Sequence, residues 1–479
     1  MQIQTKRKDI IWNYLGIFFS MGTQILWLPV LIHYLSPDLL GLWYVFISIG
    51  GLVELLDSGF TPTLSHSMSY AWSGAEDLQK QGVVFVEELK NPNYPLVCGI
   101  MATCRRLYFW IALLASVLMG AGGTIYLKHI AHAYLDAQLY VAWFIYILST
   151  FINLFIGYYA VVLVGIGDVF RKNKAMIFSK ATFLIVGTIG LVCGFGILGL
   201  SIAYFLSGFV LRGLCKHFLM KENSFAVIFQ EYKNQQRYSQ KHILKMMWPN
   251  AWRDGLVSIT AYFTGQATVL MSGIFLTLYE TGIYSFSVQV LNAICSIANA
   301  LFGAYLPAIQ SAYVAREKHL MKLYYSKAMA CFWHLSFWGI IIFTIIGIPV
   351  VQFLRKDFVI DRSAFIALAV YIYLLSRHRN STSFIVTMNK LPYTFSFIFF
   401  GTISLGATYI GLAHFHLGLW GMILIPLAVQ SLYNNWKWNM VVNRYLETNE
   451  WQLMLEGTMD LIHGVSRIVM EKLGRGEKV

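Results

Sequence analysis

The chain has 479 residues, of which 57% are hydrophobic and only 12% are charged. Its mean hydropathy is +0.59 and its formal net charge is +13. Soluble domains carry about 25% charged residues, so this composition excludes a soluble enzyme, a disordered chain and a free nucleic-acid-binding protein. It predicts an all-α polytopic membrane protein.

The first predicted element is a membrane span close to the N-terminus. Lys6, Arg7 and Lys8 precede an apolar run from Ile10 to about Tyr34. A removable signal peptide has a short apolar core and a small-residue cleavage site, whereas this run continues without one. We therefore expect a first transmembrane helix.

Twelve apolar segments have about the length, roughly 20 residues, that a helix needs to cross a bilayer core of about 30 Å. They lie near residues 10–34, 39–63, 107–127, 138–165, 179–196, 198–220, 247–273, 282–306, 328–353, 363–388, 392–414 and 419–442. The predicted domains are two six-helix lobes, a cytoplasmic linker between them, and an amphipathic cytoplasmic tail; their bounds are 1–220, 247–442, 221–246 and 443–479. We expect the tail to lie on the inner membrane surface or to pack against the helices.

The basic residues in the connections between spans favour one side of the membrane by about seven to one. Cytoplasmic loops carry such an excess, so both termini are predicted to be cytoplasmic. The same bias accounts for the positive net charge, and no nucleic-acid partner is expected.

Short stretches of the two halves match at a constant spacing. The matching positions, 241 residues apart, are Leu35 and Leu276, Gly41 and Gly282, and Trp43 and Tyr284. Parallel repeats are a common plan of secondary transporters, with substrate between the halves. This favours two lobes around a central cavity, although chance similarity between helical hairpins is the alternative.

Arg377 and Arg379 stand out, because a charge at mid-bilayer costs about 2.5–3.5 kcal/mol. The apolar stretch 363–376 reaches only about 21 Å. Either the tenth helix continues through both arginines toward Met388, or it ends at Ser376 before a cytoplasmic loop. Residues two apart on a helix point about 200° apart, so the arginines face different sides, with Asn380 on the side of Arg377. A continuous helix of this kind is predicted to line a hydrated cavity.

The other charged candidates lie in the second and seventh spans. Glu54 and Asp57 share one face of a helix, while Arg253 and Asp254 lie near the start of the seventh span. Arg253 can bind phosphate bidentately or extend to the interface. Glu54, Asp57 and Asp254 are predicted to serve in gating or ion coupling, with a structural Asp57–Arg253 pair as the alternative.

No motif indicates catalysis or a bound cofactor. The six cysteines form no metal-ligand cluster, and the sequence has no phosphate-binding Gly-x4-Gly-Lys-Ser/Thr loop. The predicted outer loops are too short for an enzyme site. We expect no metal, no cofactor and no catalytic residue.

A family resemblance rests on several short motifs. They are Asn13-Tyr-Leu-Gly16, Leu28-Pro29, Leu35-Ser-Pro37, Gly41-Leu-Trp43, Asp57-Ser-Gly59-Phe60, Trp252-Arg253 and Asn389-Lys-Leu-Pro392-Tyr393. With these motifs the chain resembles Wzx-type polysaccharide flippases. These belong to the multidrug/oligosaccharidyl-lipid/polysaccharide exporter superfamily.

The resemblance implies alternating access in a bacterial cytoplasmic (inner) membrane. The implied cargo is a polyprenyl-pyrophosphate-linked oligosaccharide for O-antigen or lipopolysaccharide synthesis, and the implied partners are membrane lipids, a polysaccharide polymerase and chain-length machinery. A monomer is expected. The residues predicted to hold the pyrophosphate-sugar head are Arg377, Arg379, Arg253 and Asn380.

Two other functions remain open at this stage. An exporter of organic cations from the same superfamily needs an acidic cavity, whereas the predicted spans hold four basic residues and three acidic ones. A membrane polysaccharide polymerase or ligase is less favoured, because such chemistry requires a larger outer loop.

Overall fold

The structure is a computed structural model that describes residues 27–78, 91–131, 134, 136–222, 225–232, 238–265, 267–314, 316–388 and 392–474. The predicted start of the first span and the stretch Asn389-Lys-Leu391 lie outside the described residues. Arg253 and Asp254 are described only as helical backbone. The chain forms two compact units, Met1–Gly282 and Ile283–Val479.

The first unit is helical from residue 27 to residue 34 and then through eleven further helices. They are α1 (Pro37–Ser58), α2 (Phe60–Trp72), α3 (Tyr94–Leu118), α4 (Thr124–Ile130), α5 (Ala137–Phe155), α6 (Tyr158–Gly165), α7 (Val169–Val192), α8 (Gly196–His217), α9 (Phe225–Tyr232), α10 (Gln240–Gly265) and α11 (Ala267–Phe275). The boundary between the units falls within the next helix.

That helix and eight others account for the second unit. They are α12 (Leu278–Ala298), α13 (Ala300–Val314), α14 (Lys318–Ile342), α15 (Ile348–Leu354), α16 (Arg362–Val386), α17 (Thr394–Ala413), α18 (Gly418–Leu432), α19 (Asn434–Tyr445) and α20 (Glu450–Gly474). The division into units comes later in the chain than the predicted linker at 221–246, and the predicted domain bounds stay a prediction.

The all-α polytopic membrane fold is confirmed. Each predicted span from the second onward coincides with one helix or with consecutive helices. Within the described residues, eight helical segments are long and apolar enough to cross a membrane. The predicted spans at 247–273, 363–388 and 419–442 are not among the eight, and the first two of them contain the charged candidates Arg253, Asp254, Arg377 and Arg379.

Side-chain caps fix where several of these helices begin. The Ser36 hydroxyl accepts a hydrogen bond from the Leu39 N–H at 3.3 Å, and Pro37 occupies the first helical position of α1. Asp136 accepts from the Leu139 N–H at 2.7 Å at the start of α5. Such caps satisfy N–H groups that have no partner inside the helix.

Among the described residues, two long helices contain an internal π-helical turn, and a third π turn, Phe218–Glu222, directly follows α8. Met119–Gly123 joins α3 to α4, and Phe343–Gly347 joins α14 to α15. A π turn holds one residue more than the α-helical turns around it, so it changes the direction of the side chains that follow. Each of the two internal turns ends on a glycine.

The C-terminal helix α20 packs along α14. A Cβ atom built on Gly457 would lie 2.1 Å from the carbonyl oxygen of Ser326, so the two backbones are in direct contact. Lys322 pairs with Glu456 at 2.8 Å, and His334 Nε2 lies 2.9 Å from Thr458 Oγ1. Of the two predicted positions for the tail, the structure shows packing against the helices.

Candidate functional site

Helix α16 continues through both arginines without a break. It begins after Asp361, whose carboxylate accepts from the Ser363 N–H at 2.8 Å, and it ends at Val386. The prediction of a continuous tenth helix is confirmed, and the alternative of a loop after Ser376 is wrong. At 1.5 Å per residue, Arg377 lies about 22 Å along the helix.

The two arginines have different neighbours. Arg377 is half-buried and forms an ion pair with Glu450 at the start of α20. Its guanidinium also interacts electrostatically with Tyr325 and Tyr373. Arg379 interacts instead with Tyr371 and with Cys295 of α12. The expected separation of the two side chains onto different sides of the helix is confirmed.

Arg379 is exposed although the residues on either side of it, His378 and Asn380, are buried. Among the described residues no carboxylate lies within ion-pair distance of its guanidinium. An arginine has five N–H donors and stays charged. Helix α16 therefore offers an accessible guanidinium that has no carboxylate partner in the described part of the chain.

The residues next to these arginines form a buried hydrogen-bond network with neighbouring helices. Asn380 Nδ2 donates to Asn299 Oδ1 at 2.7 Å, and His378 Nδ1 donates to the Asn434 carbonyl at 3.0 Å. The Ser381 hydroxyl bonds to Asn439 and lies 3.0 Å from the Tyr325 hydroxyl. Buried polar groups with satisfied partners favour one arrangement of the helices. The structure gives Asn380 a partner within the protein, and its predicted contact with substrate stays a prediction.

An acidic cluster lies in the first unit. Glu54 and Asp57 of α1 interact electrostatically with each other, as their predicted common face requires, and with Arg212 of α8. Thr61 Oγ1 donates to Asp57 Oδ2 at 2.9 Å. Asp57 Oδ1 is buried and accepts no hydrogen bond from any described residue. Tyr108 also interacts with the Asp57 carboxylate.

Arg212 is a residue of this cluster that is not among the predicted site residues, although it lies within the predicted span 198–220. In the structure it lies inside α8, where its Nε donates to Asn153 Oδ1 at 3.4 Å. Asn153 is a polar residue within the predicted fourth span. A basic residue and an amide in neighbouring spans are the signal that points to such a pair.

Two buried tyrosines support the acidic cluster. The rings of Tyr146 and Tyr204 stack with centroids 4.9 Å apart, and both interact electrostatically with Glu54. The Tyr146 hydroxyl also lies against Gly50 of α1, where a Cβ atom would come within 2.4 Å of its oxygen. Glu54 is itself exposed. The cluster therefore has an accessible carboxylate next to the two tyrosine rings.

The predicted Asp57–Arg253 pair stays a prediction. Helix α10 passes next to the junction of α1 and α2, where Gly59 lies against Ala251. The side chains of Arg253 and Asp254 lie outside the described part of the chain. Over the described residues no three His, Cys, Asp or Glu side chains are grouped as a metal site would require.

Comparisons with known proteins identify the fold. No protein-family model and no curated protein matches the sequence. An inward-facing multidrug resistance MATE family transporter of the MOP superfamily superposes with a TM-score of 0.63 at 15% identity, covering 92% of this chain and 100% of that chain. An outward-facing MATE transporter gives a TM-score of 0.56 at 15% identity, with coverages of 93% and 98%.

A third solved structure is a MOP superfamily transporter from Pyrococcus furiosus, whose binding pocket is described as having reversed polarity. It superposes with a TM-score of 0.51 at 15% identity, covering 93% of this chain and 98% of that chain. The chain therefore has the fold of MATE family transporters of the MOP superfamily. This confirms the superfamily fold that the sequence resemblance implied.

Proposed function

We propose that the protein is a transporter that moves a polyprenyl-pyrophosphate-linked oligosaccharide from the inner to the outer leaflet of a bacterial cytoplasmic membrane by alternating access. The observation that carries this proposal is the accessible guanidinium of Arg379 within a helix of a membrane protein, with no carboxylate at ion-pair distance among the residues that the structure describes. A charge in this position requires an anionic partner or water. A pyrophosphate headgroup supplies that partner.

The chemistry of the cargo matches this arrangement. An oligosaccharide-pyrophosphate headgroup cannot cross hydrocarbon unaided, because its charges and hydroxyls would lose their hydration. A guanidinium binds phosphate oxygens through two parallel hydrogen bonds. The polyprenyl chain remains in lipid throughout, so the protein has to shelter only the headgroup. Arg253 belongs to the same proposal as a second phosphate contact.

The acidic cluster is proposed to couple transport to an ion gradient. Asp57 Oδ1 lacks a hydrogen-bond partner at normal distance among the described residues, and Glu54 is accessible beside Arg212. A carboxylate that binds a proton or Na⁺ changes its interaction with a neighbouring arginine, which links ion binding to the packing of α1 against α8. Asp254 is proposed to act in gating at the start of the seventh span.

The protein performs no covalent chemistry in this proposal. It delivers its cargo to a polysaccharide polymerase and chain-length machinery at the outer face, and it needs no cofactor. The competing function is export of an organic cation, which Glu54 and Asp57 favour because they would attract positive charge. The two functions require opposite charges at the residues that contact the cargo.

Proteoliposomes test both functions with the same preparation. The anionic probe is a fluorescent short-chain prenyl-pyrophosphate N-acetylglucosamine, scored by quenching of the outer leaflet, and the cationic probe is ethidium. Arg379→Gln should slow flipping of the anionic probe at least about tenfold, as expected for lost hydrogen bonds to a charged group. Arg355→Gln, which removes a half-buried arginine paired with the exposed Asp357, is the matched control. Transport of ethidium alone, or normal flipping by Arg379→Gln, would refute the proposal.

A further inference from the structure

The Arg377–Glu450 ion pair joins the arginine-bearing helix α16 to the C-terminal helix α20. Arg377 leaves α16 on the side of Tyr325 and Tyr373, away from the neighbours of Arg379. The side chain of Arg377 is 17% exposed and that of Glu450 is 42% exposed. The guanidinium of Arg377 is thus occupied by a carboxylate of the protein itself.

Glu450 is held in place by the attachment of α20 to α14. The contact of Gly457 with the backbone of Ser326 brings these helices as close as two helices can lie. The Lys322–Glu456 pair secures the same turn of α20. Glu450 therefore extends from a fixed support, and its bond to Arg377 ties α16 to α14.

This connection has a consequence for Arg379. Two residues further along the helix, Arg379 points about 200° away from Arg377, so rotating α16 about its axis moves both guanidinium groups together. A half-buried charge that loses its partner retains its desolvation cost. Breaking the Arg377–Glu450 pair therefore favours rotation of Arg377 toward water, which turns Arg379 away from its present position beside Tyr371 and Cys295.

We propose that Arg377 is a positioning residue, which acts through Glu450 to keep α16 in the rotation that presents Arg379 to an anionic ligand. The inference rests on the proposed function of Arg379 as the anion-binding group. On this inference α20 contributes to transport, because it carries the carboxylate that holds Arg377. It also assigns Arg377 a role different from the substrate contact predicted from the sequence.

Exchanging the charges of Arg377 and Glu450 distinguishes a positioning role of Arg377 from direct contact with the anion. Arg377→Glu and Glu450→Arg should each weaken binding of inorganic pyrophosphate to the purified full-length protein by about tenfold or more, and the double variant should return to within about threefold of the wild type. Glu447→Gln, which removes the neighbouring exposed pair with Lys318, should leave binding unchanged. A double variant that binds as weakly as Arg377→Glu would show that Arg377 contacts the anion directly and would overturn the proposal.

Hydrogen exchange of α16 gives a second readout that needs no ligand. Exchange over residues 376–382 should rise in either single variant and return to the wild-type level in the double variant; exchange that stays raised in the double variant also contradicts the proposal. If exchange follows the swap but Arg379→Gln binds pyrophosphate normally, the proposed anion site is wrong while the coupling of α20 to α16 stands. Should a charge reversal prevent folding, Arg377→Lys and Glu450→Gln replace it, and unchanged exchange in both variants counts against the inference.

Discussion

Gly59 lies directly against the carbonyl oxygen of Ala251. A Cβ atom built on this glycine would be 2.1 Å from that oxygen. The backbone of Gly59 has φ −79° and ψ −30°, which any residue adopts, so the close approach of α10 is what requires glycine. This contact gives a physical reason for the glycine in the Asp57-Ser-Gly59-Phe60 motif.

Replacing Gly59 should therefore destabilise the first unit. We expect Gly59→Ala to lower the free energy of unfolding by about 1–3 kcal/mol, because an added methyl group in a filled space forces backbone shifts. Gly120→Ala is the matched control, since a Cβ atom there meets nothing within 4 Å, and it should change stability by at most about 0.5 kcal/mol. Denaturant unfolding in one detergent measures both. Equal stability of the two variants would contradict the contact.

Glu54 and Arg212 should be energetically coupled. We expect a double-mutant cycle of Glu54→Gln and Arg212→Gln to give an interaction energy of about 0.5–3 kcal/mol, the range for residues in one charged network. The exposed Lys318–Glu447 pair provides the control, and water should make its coupling weaker. Unfolding free energies of the four proteins in each cycle provide the measurement. Strict additivity at Glu54 and Arg212 would remove Arg212 from the cluster.

Asp361 should make the stability of α16 depend on acid pH. Hydrogen bonds from the Ser363 hydroxyl and from the N–H groups of Ser363 and Ala364 lower the pKa of its carboxyl below the usual 3.8. Because the folded pKa lies below the unfolded one, the stabilisation is present above about pH 4 and is lost as pH falls through the folded pKa. Asp361→Ala should cost about 1 kcal/mol at neutral pH, measured by thermal unfolding. The variant should lose less stability than the wild type on acidification, and an identical acid loss would exclude this carboxyl as the cause.

Gly457→Ala should separate α20 from α14. The added methyl would lie 2.1 Å from the Ser326 carbonyl oxygen, and a backbone group cannot rotate away as a flexible side chain can. We expect faster proteolysis of the C-terminal region in detergent solution and a lower melting temperature. Gly406→Ala in α17 is the control, because that position has no neighbouring atom within 4 Å. Unchanged proteolysis of Gly457→Ala would show that α20 docks by other contacts.

The all-helical fold and the order of the helices along the chain follow from the sequence, because bilayer thickness imposes a similar length on every span. The continuity of α16 through Arg377 and Arg379 follows for the same reason, since its apolar part is too short to cross alone. The opposite directions of the two arginines follow from helix geometry. Each of these features depends only on residues close together in the sequence, so the sequence is enough to predict it.

Contacts between residues that are far apart in the sequence are harder to predict from the sequence. Arg212 lies near the end of a predicted span, and only the packing of α8 brings it to Glu54 and Asp57. Glu450 is one of several acidic residues in an amphipathic segment. Its pairing with Arg377 depends on the contact between Gly457 and Ser326. Both pairings are decided by how helices pack, which a periodic pattern does not specify.

The π turns at Met119–Gly123 and Phe343–Gly347 have a consequence for the faces of the helices that contain them. Each lies in the third predicted span of its half, and each ends on a glycine. Because a π turn adds one residue, the side chains that follow it are turned by about 100° around the helix axis relative to an uninterrupted α-helix. The residues of α4 and α15 therefore cannot be assigned to a face by counting from the start of α3 or α14.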